Sequence, residues 1–374
     1  MMKYISKFLA TILAFSMLMV PVKASEISTQ VEQTSAGLSA LGGKPGKLLG
    51  EGKAFPAGTS VCDWVAMALA LTGSEENYSA YRDDLQNYVE EAYEKNGGLE
   101  RVKSTTYHRV ILVVLALGGD PTHFGAKPDG TAIDLVADGT YAFAGDSLGA
   151  QGLNGWIYGL LALDASGVEV PGNAKFTREN MIRAIVDAQE PDGGFGLTAG
   201  KSDVDITAMA LQALAPYEDD YPHTIENALN YLAETMDDSC HYSSYGAKNV
   251  ESSAQVILAL CALGIDPVED NRFCRGERNI LTGLENFRQP DNTFAHTPEE
   301  TEGNFLATAQ TLLAQSALQK LRDGEGWIYD FTDYSGPNQK SENGSYLLAA
   351  AVVVSGIVCI LFVGKRRKNG KNNG

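Results

Sequence analysis

The sequence predicts an all-α domain built as a closed α/α barrel, followed by one transmembrane helix. Three observations carry this. An apolar helix ending in Ala-Leu recurs six times, an amphipathic charged helix lies between successive copies, and residues 345–364 form an uncharged apolar run. The Ala-Leu pairs start at Ala70, Ala116, Ala162, Ala213, Ala262 and Ala317, at successive spacings of 46, 46, 51, 49 and 55 residues. Regular spacing of this kind marks a repeat architecture.

Taken in order, residues 1–24 have the parts of a secretory signal. Lys3 and Lys7 form a charged start, Phe8–Val20 an apolar stretch, and Val22-Lys23-Ala24 a small-residue cleavage site. Residues 25–334 then hold the repeats. The apolar copies are Val61–Gly73, Tyr107–Gly119, Gly155–Gly167, Asp205–Tyr217, Ser252–Gly264 and Asn304–Leu318. Stretches such as Val110-Ile111-Leu112-Val113-Val114-Leu115 are apolar all round, so protein must cover them on most sides. Between them the pattern predicts outer helices over Tyr81–Glu94, Thr131–Asp138, Arg178–Gln189, Ile225–Met236 and Glu277–Phe287, with a weaker one over Ser28–Leu41. Arg178–Gln189 shows the reason: Met181, Ile182, Ile185 and Val186 make one stripe, and the charges lie elsewhere. Neither terminal repeat has the polar outer face that caps an open solenoid, so the six copies favour closure into a ring of parallel inner helices.

The chain ends in a polar spacer (335–344), the apolar span (345–364) and a basic tail (365–374). The span has the length of a bilayer-crossing helix, and Lys365-Arg366-Arg367-Lys368 predicts a cytoplasmic C-terminus. This tail resembles the anchors of Gram-positive surface proteins, although no Leu-Pro-x-Thr-Gly precedes it. The expected location is therefore the cell surface, with the repeat domain outside.

The net charge of −18 hides an asymmetry. Eight of the 29 basic residues lie in the two end segments, which hold no acid, leaving 21 bases against 47 acids between them. Such a surface repels nucleic acid and anionic lipid. The five cysteines fit neither a zinc pattern nor a disulfide framework. Cys240 and Cys274 fall in loops at opposite ends of an inner helix, an expected separation of about 20 Å.

The best-preserved joint between repeats is Gln189…Asp192-Gly193-Gly194-Phe195, followed by Asp203-Val204-Asp205-Ile206-Thr207-Ala208. The first part resembles the glutamine/aromatic turn of squalene cyclases and protein prenyltransferase β subunits; the second resembles the Asp-x-Asp-Asp-Thr-Ala motif of squalene–hopene cyclases. Both families build an α6/α6 toroid, and the resemblance covers about residues 30–330, with weaker copies of the turn at Asn96-Gly97-Gly98-Leu99 and Gln289-Pro290-Asp291-Asn292-Thr293-Phe294. Gly152-Leu153-Asn154-Gly155-Trp156, the Asp205–Leu214 helix and Asn249–Val256 are similar to secreted, surface-anchored bacterial toroids of the prenyltransferase/squalene-oxidase-repeat type, related to transcobalamin and intrinsic factor. That likeness implies a cobalamin-type corrinoid as ligand. The β domain that completes such corrinoid sites has no counterpart in this chain.

Inner-helix N-termini converge on one mouth of such a ring. The candidate ligand-binding residues are Asp203, Asp205, Thr207, Tyr107, His108, Asn154, Trp156, Glu251 and Gln255. Helix capping alone accounts for Asp203 and Asp205 equally well. The leading reading is a non-enzymatic extracellular module that binds a small ligand or surface partner at the rim. A second reading makes Asp205 the acid of a terpenoid cyclase, although Ile206 stands where the motif has its next acid. A zinc prenyltransferase site on Cys62, Asp63 and His108 lacks the Asp-x-Cys order. A third reading is a structural or adhesion module. No metal and no catalytic residue is assigned.

Overall fold

The computed structural model describes residues 22–43, 46–50 and 55–337. The expected signal peptide and the transmembrane span fall outside these residues, apart from Val22–Ala24, where the first helix begins. Among the described residues no helix is long and apolar enough to cross a membrane.

The described chain is predominantly α-helical, with two hairpins of two-residue strands, the first β1 (Ser243–Ser244) with β2 (Ala247–Lys248). Its twelve described helices are α1 (Val22–Ala40), α2 (Ser60–Leu71), α3 (Tyr78–Asn96), α4 (Thr105–Ala116), α5 (Leu135–Gly139), α6 (Asn154–Ser166), α7 (Arg178–Val186), α8 (Val204–Leu214), α9 (Pro222–Thr235), α10 (Val250–Ala262), α11 (Ile280–Glu285) and α12 (Phe305–Asp323). The even-numbered helices are the six apolar copies. Each packs on the next, α2 on α4, α4 on α6, α6 on α8, α8 on α10 and α10 on α12. α12 packs back on α2, so the series has no free end. The odd-numbered helices cover it from outside: α3 on α2, α5 on α4, α7 on α6, α9 on α8 and α11 on α10. α1 docks on α12, the last of the inner series.

Local chemistry sets the helix ends. Asn77, Thr177, Asp203, Asn249 and Asn304 accept hydrogen bonds from first-turn N–H groups of α3, α7, α8, α10 and α12. Each such cap contributes about 1 kcal/mol. Gly97, Gly167 and Gly324 end α3, α6 and α12 in the left-handed region that glycine adopts freely. The buried core runs through the even helices, as in Val65–Leu69 of α2 and Val110–Val114 of α4.

Three outer helices are shorter than their periodicity predicts; α7 ends at Val186 instead of Gln189, and the other two differ by more than a frayed end. Over Thr131–Ile133 the chain is extended, because Phe124 and Ile133 pair with a Gly-Pro-rich return (Phe124 N to Ile133 O 3.0 Å, Ile133 N to Gly125 O 3.0 Å), and only α5 is left as helix. Before α11 a hairpin, β3 (Cys274–Arg275) with β4 (Arg278–Asn279), replaces the first helical turn. This hairpin also corrects the expected separation of Cys240 and Cys274. Arg275 donates through Nη2 to Ala233 O (2.7 Å) and Met236 O (3.0 Å), and its backbone N–H faces the Cys240 thiol. The segment after α10 thus climbs the outer wall and brings Cys274 beside Cys240, both as free thiols.

The stretch after α12 also turns inward. Ile328 and Tyr329 are buried, and Tyr334 donates to the last-turn carbonyls Ala70 O (3.3 Å) and Ala116 O (2.9 Å). Gly336 lies against Gly118, backbone on backbone. Residues 325–337 therefore cover the C-terminal ends of α2 and α4.

Candidate ligand-binding cavity

The joint from α7 to α8 shows how an inner helix is aimed. Gln189 Nε2 donates to Gly193 O (2.9 Å) and Thr224 O (2.8 Å), tying the turn to α9. Phe195 is fully buried and pairs with Asp203, and the Thr207 hydroxyl accepts from Phe195 N (2.8 Å). The α11–α12 joint repeats this, with Phe294 N donating to Thr308 Oγ1 (2.9 Å) and Asn304 N to Phe294 O (3.0 Å). In the α3–α4 joint the Tyr107 hydroxyl takes the threonine's place, accepting from Leu99 N (2.9 Å). Thr207 and Tyr107 are thus parts of the joints.

These joints direct the first two turns of the inner helices to one cavity of ≈ 230 Å3. α2 contributes Ser60 and Trp64, α4 Thr105 and Arg109, and α6 Asn154 and Tyr158. Met209 comes from α8, Gln310 from α12, and Lys103 from the loop before α4. Trp64 and Tyr158 meet edge to face at 6.2 Å. α10 reaches the cavity indirectly. Gln212 Nε2 donates to Gln255 Oε1 (2.9 Å), and Gln255 Nε2 donates to Gln310 Oε1 (3.2 Å). This amide relay runs one way and ends on the Gln310 amide at the cavity wall.

Arg109 is fixed by a buried network. Its Nε donates to Asp63 Oδ2 (2.8 Å) and its Nη2 to Gly58 O (3.0 Å), while Tyr81 Oη (2.8 Å) and Gly58 N (2.9 Å) donate to Asp63 Oδ1. Burial raises the Asp63 carboxyl above the usual range, and Arg109, Tyr81 and Gly58 oppose that.

The residues predicted from sequence divide. Asn154 lines the cavity, and its buried Oδ1 has no hydrogen-bond partner. Gln255 acts through the relay. Asp203 caps α8 and accepts from the Ser244 hydroxyl (2.7 Å). Glu251 pairs with His296 Nδ1 at 2.7 Å. His108 is fully buried between α4 and α5 with Nε2 on Gly139 O (2.7 Å), and burial lowers it to about 4, a neutral packing group. Trp156 points elsewhere: it packs edge to face on Phe176 at 5.6 Å and lines an open groove of ≈ 800 Å3 with Gln189 and Leu197. Among the described residues no three His, Cys, Asp or Glu side chains are grouped to hold a metal. Asp63 and His108 are engaged separately, as above.

Asp205 stands one turn before Met209, close enough to Tyr158 that its charge disfavours the phenolate. Burial raises the Asp205 carboxyl to about 6; Asp203 and Glu251 push the same way, and the Ser252 and Ser244 hydroxyls oppose. Ser252 is near but not aligned, so Asp205 Oδ1 and Ser252 Oγ both lack a hydrogen-bond partner. A carboxyl whose folded value lies above its unfolded value of 3.8 stabilises the protein at low pH. That stability is lost as pH rises through about 6. Asp205→Asn is therefore expected to flatten the pH profile and to gain up to about 3 kcal/mol at pH above 7. Urea midpoints on both sides of this window check it; parallel profiles for the two proteins would show that Asp205 is not the group responsible.

Sequence reasoning did not select Ser60, Trp64, Lys103, Thr105, Tyr158, Met209 or Gln310 as site residues. The usable signal is their place on the inner helices. Trp64, Arg109 and Gln310 stand about two turns before the Ala-Leu pair, and Tyr158 and Met209 about one turn before it. No protein-family model matches the chain, and no curated protein matches it in sequence.

Proposed function

We propose that this chain is a membrane-anchored extracellular α6/α6 toroid that binds a small ligand in the cavity at one mouth, without catalysing a reaction on it. The cyclic packing of six inner helices, each covered by an outer one, supports the toroid. The observation that carries ligand binding is the cavity lining. The unpartnered Asn154 Oδ1, the edge-to-face Trp64 and Tyr158, and the fixed Arg109 meet at the convergent first turns of the inner helices. Concave sites with a few convergent polar groups on aromatic walls are the usual form of small-molecule sites.

The size limits the ligand. A cavity of ≈ 230 Å3 lies below the range of about 300–1,000 Å3 that encloses drug-sized molecules. A corrin ring would have to rest across the rim instead of entering. Cyclase chemistry is not favoured, because it needs a large aromatic chamber around its acid, and the aromatic lining here is Trp64 and Tyr158.

The anchor follows from the 345–364 span. The last described residues lie at the C-terminal ends of α2 and α4, opposite the mouth, so a span that follows them would hold the cavity facing away from the bilayer. A screen of small molecules of mixed charge against the full-length protein, read by tryptophan fluorescence, tests the reading. At least one saturable response is expected, and Trp64→Leu is expected to abolish it. A screen without any Trp64-dependent response would count against ligand binding at this mouth.

A further inference from the structure

We infer that the ligand of this cavity is a small flat organic anion, of the size of an aromatic carboxylate, held with its charged head toward Lys103 and Arg109. The inference rests on the cavity being the ligand site. The sign of the lining is its first support. Between the two end segments the chain has 21 bases against 47 acids, yet Lys103 and Arg109 are the charged residues on the cavity wall and no Asp or Glu lines it. Lys103 has no ion-pair partner among the described residues. Arg109 spends Nε and Nη2 on Asp63 and Gly58, which fixes the guanidinium in place, and Nη1 has no partner among the described residues.

Three of the neutral groups can add donors to these charges. The one-way relay through Gln212 and Gln255 uses the Gln310 oxygen as acceptor, so Gln310 offers its N–H donors to the cavity. The Ser60 and Thr105 hydroxyls stand on the same wall with no protein partner among the described residues. This group of charged and neutral donors complements a carboxylate or a similar oxyanion, while Asn154 Oδ1 on the same wall is an acceptor that would take a donor from elsewhere on the ligand. The rest of the wall selects the body of the ligand: Trp64, Tyr158 and Met209 are broad and apolar, which suits a flat ring. Behind Tyr158, Tyr329 is buried, and the Tyr158 phenol disfavours its ionisation.

Titration of the full-length protein at low salt with benzoate, benzamide and benzylamine, read by tryptophan fluorescence, tests this. Benzoate is expected to bind in the millimolar range or tighter and to outcompete the other two. Lys103→Glu is expected to weaken benzoate roughly tenfold without weakening benzamide. Benzylamine binding as tightly as benzoate, with a response lost in Trp64→Leu, would overturn the anion and leave the cavity as the site. An unchanged benzoate affinity in Lys103→Glu would also overturn it. No response to any of the three would remove the anion and count against the cavity together.

Discussion

Replacing Asp63 by alanine is expected to cost about 3–5 kcal/mol of stability, the usual penalty for breaking a buried ion pair from one side. The carboxylate is fully buried in α2 and accepts from three elements: Arg109 of α4, Tyr81 of α3 and the backbone of Gly58. Its loss strands a hydroxyl and an N–H group away from water and leaves the half-buried guanidinium without its partner, and each of these has its own cost. Asp63→Asn keeps the shape and part of the hydrogen bonding, so its loss is expected to be smaller. Urea unfolding followed by fluorescence distinguishes the two. A cost below about 1 kcal/mol for Asp63→Ala would mean that Arg109 finds another partner or reaches water. Because Arg109 also lines the cavity, Asp63→Ala is expected to loosen benzoate binding as well.

The second large effect concerns Tyr329. Tyr329→Ala removes a fully buried ring and is expected to cost about 3–5 kcal/mol, the range for large aromatic truncations in cores. Tyr329→Phe keeps the packing, and no hydrogen bond of this hydroxyl is present among the described residues, so that variant is expected to lie close to wild type. Thermal melting of both variants separates packing from polarity. Equal, small shifts would show that the bore collapses around the gap.

Much of the architecture was legible in the sequence, because helices buried on most sides must be apolar all round. The Ala-Leu copies therefore stand out against charged outer helices such as α7. The joints were legible for a related reason: buried Phe195 and Phe294 need glycine-rich turns to reach the interior, and those turns are visible in the sequence. The cavity was less so. Its lining slips by one helical turn between α6 or α8 and the other inner helices, so no fixed offset from the repeat finds Tyr158 and Gln310 together. Polar residues at helix starts, such as His108 and Thr207, drew attention instead, although burial gives them packing and joint-forming roles. The nearness of Cys240 and Cys274 depends on how far the β3–β4 hairpin climbs the wall, which helical periodicity does not encode. The inward turn of residues 325–337 follows from aromatics, Trp327, Tyr329, Phe331 and Tyr334, that carry no repeat signature.

The docking of α1 on α12 bears on how the molecule comes to be folded. Contacts that close the structure join its first and last parts: Arg288 donates to Thr34, and Tyr334 reaches back to Ala70 and Ala116 across more than 200 residues. Until the last inner helix has been delivered, α1 lacks the helix on which it mainly packs and α2 has an open flank. A chain released from its N-terminus first must then hold five apolar helices with one side unfinished, a state in which exposed interior invites aggregation. High sequence separation of the closing contacts also makes closure slow relative to local helix formation. Docking of α12 on α1 and α2 is thus expected to be a late step of folding, and a chain cut short before α12 is expected to leave the flanks of α2 and α10 uncovered.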